Sequence, residues 1–271
     1  MKVTAKLFSV LLLCVVALQS AGAQIHVDAA LAHDRQVEIG ASYEGNIPIT
    51  NTSDEAYQVR LYQTDYRFDA NGNNWYDTPG TSERSNALWI GYGNPVVTVP
   101  AKSTLEVPYR VVVPDDTSLT GSYWSMLMVE AIPPESIEST LSATNNVPQF
   151  AIERRIRYGV QIATHVLATG SAVFTIDNPE LVRLESEGAQ LKISVENTGD
   201  RLAESAVYVD LFTVDGQNVG RFEGTRARLY PGTSFKHHVS FGVQAPGQYE
   251  ALFVIATSDG STYGAQFTLE L

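Results

Sequence analysis

The chain has 271 residues, 18 basic and 30 acidic side chains, and a formal net charge of −12. That balance argues against nucleic acid as a partner, because phosphate backbones are held by a basic surface. It holds a single cysteine, Cys14, so the remainder can form no disulfide and offers no thiol ligand to a metal.

The first element is a targeting segment. Lys2 and Lys6 precede an apolar run from Leu7 to Leu18, and Ala21-Gly22-Ala23 follows. This is the order of a cleavable secretory signal, and the run is too short to span a bilayer. Leu13 before Cys14, with the apolar run continuing past it, does not fit a lipoprotein signal. Cleavage after Ala23 would remove Lys2, Lys6 and Cys14, leaving 16 bases against 30 acids. The expected location is the periplasm, the extracellular space or the cell surface.

Beyond residue 23 the apolar pattern has the period of strands rather than helices. Leu105, Val107, Tyr109, Val111 and Val113 alternate with Glu106, Pro108 and Arg110, and Pro108 predicts a sheet edge. Four blocks then recur in one order. Ile47 to Asp54 matches Ile193 to Asp200, each ending in an Asn-Thr turn. Tyr57 to Tyr62 matches Ala206 to Leu211. Val99-Pro100 to Leu105 matches Tyr230-Pro231 to Phe235. Gly121-Ser-Tyr123 to Met128 matches Gly247-Gln-Tyr249 to Val254. An internal repeat of this kind predicts two copies of one architecture. The expected fold is all-β: two tandem immunoglobulin-like sandwich domains, 24–166 and 167–271, after a signal peptide at 1–23.

The first copy is longer, with the excess expected at about 67–94. Asn71-Gly72 between aromatic segments predicts a hairpin there. Trp75, Tyr76 and Trp89 in or beside it form a candidate aromatic patch. Asp69, Asn71 and Asn73 alternate oxygen ligands as a calcium loop does, but Trp75 and Gly80 occupy the positions where an EF-hand needs glycine and glutamate. A hairpin tip accounts for them more simply, so no metal site and no cofactor is expected. The Asn51 sequon falls in the repeated turn and reads as structural.

Catalytic patterns are missing. The five histidines form no metal-ligand pair, and His237 and His238 leave opposite faces of one strand. No serine sits in a G-x-S-x-G elbow. The chain is therefore read as a non-enzyme. One cluster stands out: Arg154, Arg155 and Arg157 bring three bases together in a strongly acidic protein. They suit a carboxylate partner or an interdomain ion pair.

That stretch resembles a known family. Tyr123 to Pro134, ending Glu130-Ala-Ile-Pro-Pro134, and then Phe150-Ala-Ile-Glu-Arg-Arg-Ile-Arg-Tyr158, look like consecutive strands of the periplasmic pilus-assembly chaperones. The resemblance covers residues 25–160. It implies two immunoglobulin-like domains at an angle, and an exported subunit that is completed by strand addition. By that likeness, Arg157 and Arg155 would engage the subunit, with Arg157 as anchor for its C-terminal carboxylate. Phe150, Ile152 and Ile156 would supply donor side chains. The second anchor of the family falls at Val37 here, with Arg35 two residues earlier. An alternative likeness, to sandwich domains of Gram-positive surface complexes, implies a structural or adhesive role, wall- or peptidoglycan-associated.

Overall fold

The computed structural model describes residues 24–132, 156–184 and 187–271. The signal segment, Phe150, Ile152, Arg154 and Arg155 lie outside them. The described residues form an all-β structure of two sandwiches. A single 3-10 turn at Ala87–Trp89 is the helical element among them.

The first sandwich begins with two short strands, β1 (Ile25–Val27) and β2 (Ala32–Val37). Then come β3 (Ser42–Asn51), β4 (Tyr57–Phe68), β5 (Asn74–Asp77), β6 (Ile90–Gly91), β7 (Val96–Val99), β8 (Ser103–Val112), β9 (Ser122–Ile132) and β10 (Arg157–Val166). One sheet runs β1-β3-β8-β6, and the other runs β2-β10-β9-β4-β5, with β7 also on β4. The alternation read from β8 is realised: Val107, Tyr109 and Val111 are buried while Glu106, Pro108 and Arg110 are exposed. Pro108 faces Asn46 of β3, and β6 pairs only with Val111 and Arg110, so the missing N–H of Pro108 interrupts no ladder. Ile47, Ile49, Val59, Leu61, Leu127, Val129, Val160 and Ile162 close the core between the sheets.

The second sandwich comprises β11 (Phe174–Leu184), β12 (Gly188–Asn197), β13 (Ala203–Thr213), β14 (Asn218–Leu229), β15 (Ser234–Gly242), β16 (Gln248–Thr257) and β17 (Thr262–Glu270). Layer β11-β12-β15 faces layer β14-β13-β16-β17, and a single pairing of Gly224 with Val239 links them. Leu191, Ile193, Val207, Val209, Leu211, Phe241, Phe253 and Ile255 fill the space between.

The repeated asparagines are the clearest structural echo. Asn51 is buried, and its Nδ2 donates to the carbonyls of Glu55 (2.8 Å), Val99 and Pro100 (both 3.1 Å), while its Oδ1 accepts from Ser53 N (2.9 Å). Asn197 is also buried. Its Nδ2 donates to Arg201 O (2.8 Å) and Leu229 O (2.9 Å), and its Oδ1 accepts from Gly199 N (3.1 Å). Each side chain thus ties its own turn to the chain entering the next Pro-containing turn. Burial of Asn51 also explains the sequon as structure. Tyr249 completes the fourth block by donating its hydroxyl back to Ala245 O at 2.8 Å, the corner bond of immunoglobulin-like sandwiches.

Candidate functional site: an open strand edge beside a braced cleft

The strand β10 is paired unevenly. On one side β9 accompanies it from Arg157 to His165. On the other, β2 runs parallel to it only from Gln161 onward, where Gln161 N donates to Leu31 O at 2.8 Å. The cause lies in the first strand of the chain. Residues 25–27 pair with β3 in one sheet and residues 32–37 with β10 in the other, so the chain changes sheets between them. No described residue pairs with the β2-side edge of Arg157–Val160. Val166 N donates to Gly121 O on the β9 side, so by alternation the even residues bond toward β9. The N–H and C=O groups of Arg157 and Gly159 therefore point to the open side.

Arg157 itself is exposed. It faces Glu130 in the ladder, and its guanidinium reaches the Tyr62 hydroxyl at 3.4 Å. Among the described residues it makes no ion pair with the second sandwich. Ile156 is half-buried just before β10, and Tyr158 packs against the first core. Arg35 is exposed on β2 opposite Thr164. That register lies seven residues along β10 from Arg157, or about 23 Å of strand, so the two arginines do not converge. Gly159 leaves room for the side chains of β9: a Cβ there would meet the Met126 sulfur at 3.0 Å and the Met128 sulfur at 3.2 Å.

The aromatic hairpin is built by β4 and β5, with Arg67 opposite Trp75. Trp75 and Tyr76 are 37% and 52% exposed. Arg67 lies over the Trp75 ring at 5.2 Å and pairs with Asp77 at 2.9 Å. Trp89 instead packs on Tyr123, with ring centroids 4.8 Å apart. At the tip, Asp69 Oδ1 accepts the backbone N–H groups of Asn71 (2.8 Å) and Asn73 (3.1 Å), and Oδ2 accepts Asn73 Nδ2 (3.0 Å). These bonds hold the Asp69 carboxyl below its usual range, that from the Asn73 side chain most strongly. Its oxygens cap the loop.

Two buried polar residues that sequence reasoning missed hold the returning chain. Asp65 accepts N–H groups from Gly80 (3.0 Å) and Ser82 (2.7 Å) and the Ser85 hydroxyl (2.5 Å). Asn86 donates to Ile162 O and Thr164 Oγ1, both at 3.0 Å, and accepts from Ser125 Oγ at 2.7 Å. Their partners lie up to 78 residues away, so no local motif announces them.

The sandwiches are braced against each other. Trp124 of β9 stacks on Tyr230 at 4.6 Å, and Tyr230 donates to Gln161 Oε1 at 2.8 Å. Asp34 accepts Arg228 Nη2 at 2.8 and 3.0 Å and lies 3.3 Å from His165 Nε2. Burial alone would raise the Asp34 carboxyl, but the bonds and charges of His165 and Arg228 outweigh it and hold it at about 2. The linker is pinned as well: Arg201 Nη1 donates to Val166 O and Thr169 O, and Ser171 N donates to Asp200 Oδ1 at 2.7 Å.

Ser122 Oγ sits 2.8 Å from His165 Nδ1, which completes a Ser-His-Asp chain. Ser122 is fully buried, however, and its oxygen accepts Leu202 N–H at 2.8 Å. A nucleophile must reach a substrate carbon. This hydroxyl instead fastens β9 to the second sandwich. Among the described residues no three His, Cys, Asp or Glu side chains gather as a metal site, and no helix is long and apolar enough to cross a membrane.

No family model matches the chain. No curated protein matches it either. Among solved structures it is similar to the E. coli chaperone DraB, with 14% identity over 91% of this chain and 98% of that one, at a TM-score of 0.42. It is also similar to the CupB2 chaperone of Pseudomonas aeruginosa: 11% identity, 90% and 100% coverage, TM-score 0.42. A third is the CsuC–CsuE chaperone–tip adhesion subunit pre-assembly complex from the archaic chaperone-usher Csu pili of Acinetobacter baumannii: 10% identity, 91% and 98% coverage, TM-score 0.44. Each of these likenesses spans about nine-tenths of this chain.

Proposed function

We propose that this chain is an exported, non-enzymatic protein-binding module of chaperone type, which lends the open edge of β10 at Arg157–Val160 to an incomplete exported subunit. The single observation that carries the reading is that edge. Its outward N–H and C=O groups, at Arg157 and Gly159, have no partner among the described residues, while the same strand is fully laddered on its β9 side. Unpaired backbone groups in line with an existing strand are what β-strand addition uses. Arg157 stands exposed at the start of that edge, suited to a carboxylate. The secretory signal read at 1–23 and a body without cysteine suit a periplasmic or cell-surface setting.

The test is co-purification of exported subunits with wild type, Arg157→Ala and Arg157→Pro from periplasm. Proline removes both the side chain and the outward N–H without touching the β9 ladder. Graded loss, alanine partial and proline near-complete, supports the reading. Equal recovery with all three sinks it. A second reading, an adhesive surface protein, draws on the exposure of Trp75 and Tyr76. It predicts loss of partner with Trp75→Ala and Tyr76→Ala instead.

A further inference from the structure

The described edge strands differ in how they are guarded. β1, β5, β6 and β7 are two to four residues long. β2 carries Asp34 and Arg35. β11 is long, but a register shift between Asp177 and Glu180 breaks it at Pro179. Short length, charge, bulges and proline are the usual devices that stop strands from pairing with other chains. Among the described residues β17 is guarded at its last residue alone, where the Glu270 carbonyl accepts Arg183 Nη2 of β11 at 3.0 Å. It pairs with β16 without a shift from Thr262 to Glu270, contains no proline, lysine or arginine, and has Glu270 as its sole charge, at its end.

The parity of its free groups is set by the hairpin. Thr257 N donates to Ser261 O, and Gly247 and Leu271 exchange both of their bonds. The odd-numbered residues therefore bond to β16. The N–H and C=O groups of Thr262, Gly264, Gln266, Thr268 and Glu270 point outward, and these five residues are also exposed.

We propose that β17 is a self-association edge, where a second copy of this chain adds its own β17 antiparallel about a two-fold axis at Gln266. In that register each outward-pointing residue meets another: Thr262 faces Glu270, Gly264 faces Thr268, and Gln266 faces itself. About eight inter-chain hydrogen bonds result from groups that are free in the monomer, and two more fall on the Glu270 carbonyls that Arg183 Nη2 already reaches. The other face sets Tyr263 against Leu269 and Ala265 against Phe267, aromatic against aliphatic or small. No like charges stand opposite one another. A shift by one residue would set outward groups against groups already spent on β16, so parity excludes odd shifts, and among the even ones the register centred on Gln266 pairs all five outward residues. The pairing is isologous, which closes at two copies. Because each chain carries −12, association strengthens as salt screens the repulsion.

The test is sedimentation of the purified full chain over a concentration series, at low and moderate salt. Wild type is expected to be a reversible dimer. Gln266→Pro removes one outward N–H and the exposed side-chain bond to Glu250, but no backbone bond to β16. Gln266→Lys sets two ammonium groups opposite each other in the dimer while leaving Glu250 beside them in each monomer, where Gln266 Nε2 now donates at 3.1 Å. Both variants should be monomeric, or weakened at least about tenfold, with the wild-type melting temperature. Gln266→Cys in a Cys14→Ser background should form a disulfide-linked dimer, since hydrogen-bonded antiparallel pairs hold Cα atoms about 5.5 Å apart. A wild type that stays monomeric up to its solubility limit overturns the proposal. So does a dimer that persists unchanged in both Gln266→Pro and Gln266→Lys.

Discussion

The two sandwiches share one turn and part company directly after it. Asn51 and Asn197 make the same bonds to a residue four ahead, a backbone N–H two ahead, and the chain entering a Pro-containing turn. The next strand then ends differently. β13 turns at Thr213–Gln217 and returns at once as β14. β4 extends to Phe68, returns as the four-residue β5, and then leaves the sheet for a long loop. In the second sandwich backbone pairing does the closing. In the first, buried side chains do it: Asp65 collects the loop's N–H groups and Asn86 plugs it into β9 and β10. The difference shows how a repeated scaffold accepts an insertion, provided that buried donors and acceptors replace the lost ladder.

The largest test of that contrast is Asp65→Ala. It strands three or more donors, and we expect a loss of about 3–4 kcal/mol in urea unfolding. A loss below about 1 kcal/mol would mean that the insertion is held by something else. The paired variants Asn51→Ala and Asn197→Ala should each cost about 2–3 kcal/mol, because each leaves buried carbonyls unpaired. Equal costs support one shared turn, and a difference above about 2 kcal/mol would break the comparison.

Acid should act on the second sandwich most strongly, although burial also lowers the His33 imidazole of the first. His237 is fully buried, Nδ1 lies 3.0 Å from Thr225 Oγ1, and Nε2 has no partner. Burial pushes its imidazole down to about 4 from 6.5. The unfolded chain therefore binds a proton that the folded one refuses, and stability falls as pH drops from 6.5 to 4, by up to about 3 kcal/mol. His237→Gln should flatten that slope in a pH series of melting curves. Asp34 acts lower. Its folded value of about 2 lies below 3.8, so its contribution is present above 3.8 and is lost as pH falls toward 2. The smallest expected effect is at the brace: Arg228→Ala should cost about 1 kcal/mol, since both partners are partly solvated. That cost should shrink in high salt, and a salt-independent loss would point to packing on Tyr230 instead.

The repeat, the alternation of β8 and the opposite faces of His237 and His238 were legible because a strand's period is written in adjacent residues. The split first strand was not. Ile25–Val27 and Ala32–Val37 sit on different sheets because of partners at 49–51 and 161–166, far along the chain. The Ser122–His165–Asp34 chain was hidden in the same way, with separations of 43 and 131 residues. Of the candidate site, exposed Arg157 was readable from charge clustering. The open edge beside it was not, since it depends on where β2 begins. Arg35 was drawn in by its nearness to the family's anchor position, and the register sets it far from Arg157.

The central claim is that the edge of β10 at Arg157–Val160 is the partner-binding edge, and residue-resolved hydrogen exchange tests it most directly. In the free protein the amides of Arg157 and Gly159 should exchange fast while those of Tyr158 and Val160, bonded toward β9, are protected. With a captured exported subunit bound, Arg157 and Gly159 should become protected by at least about tenfold. Protection of both amides in the free protein, or none gained in the complex, would contradict the account.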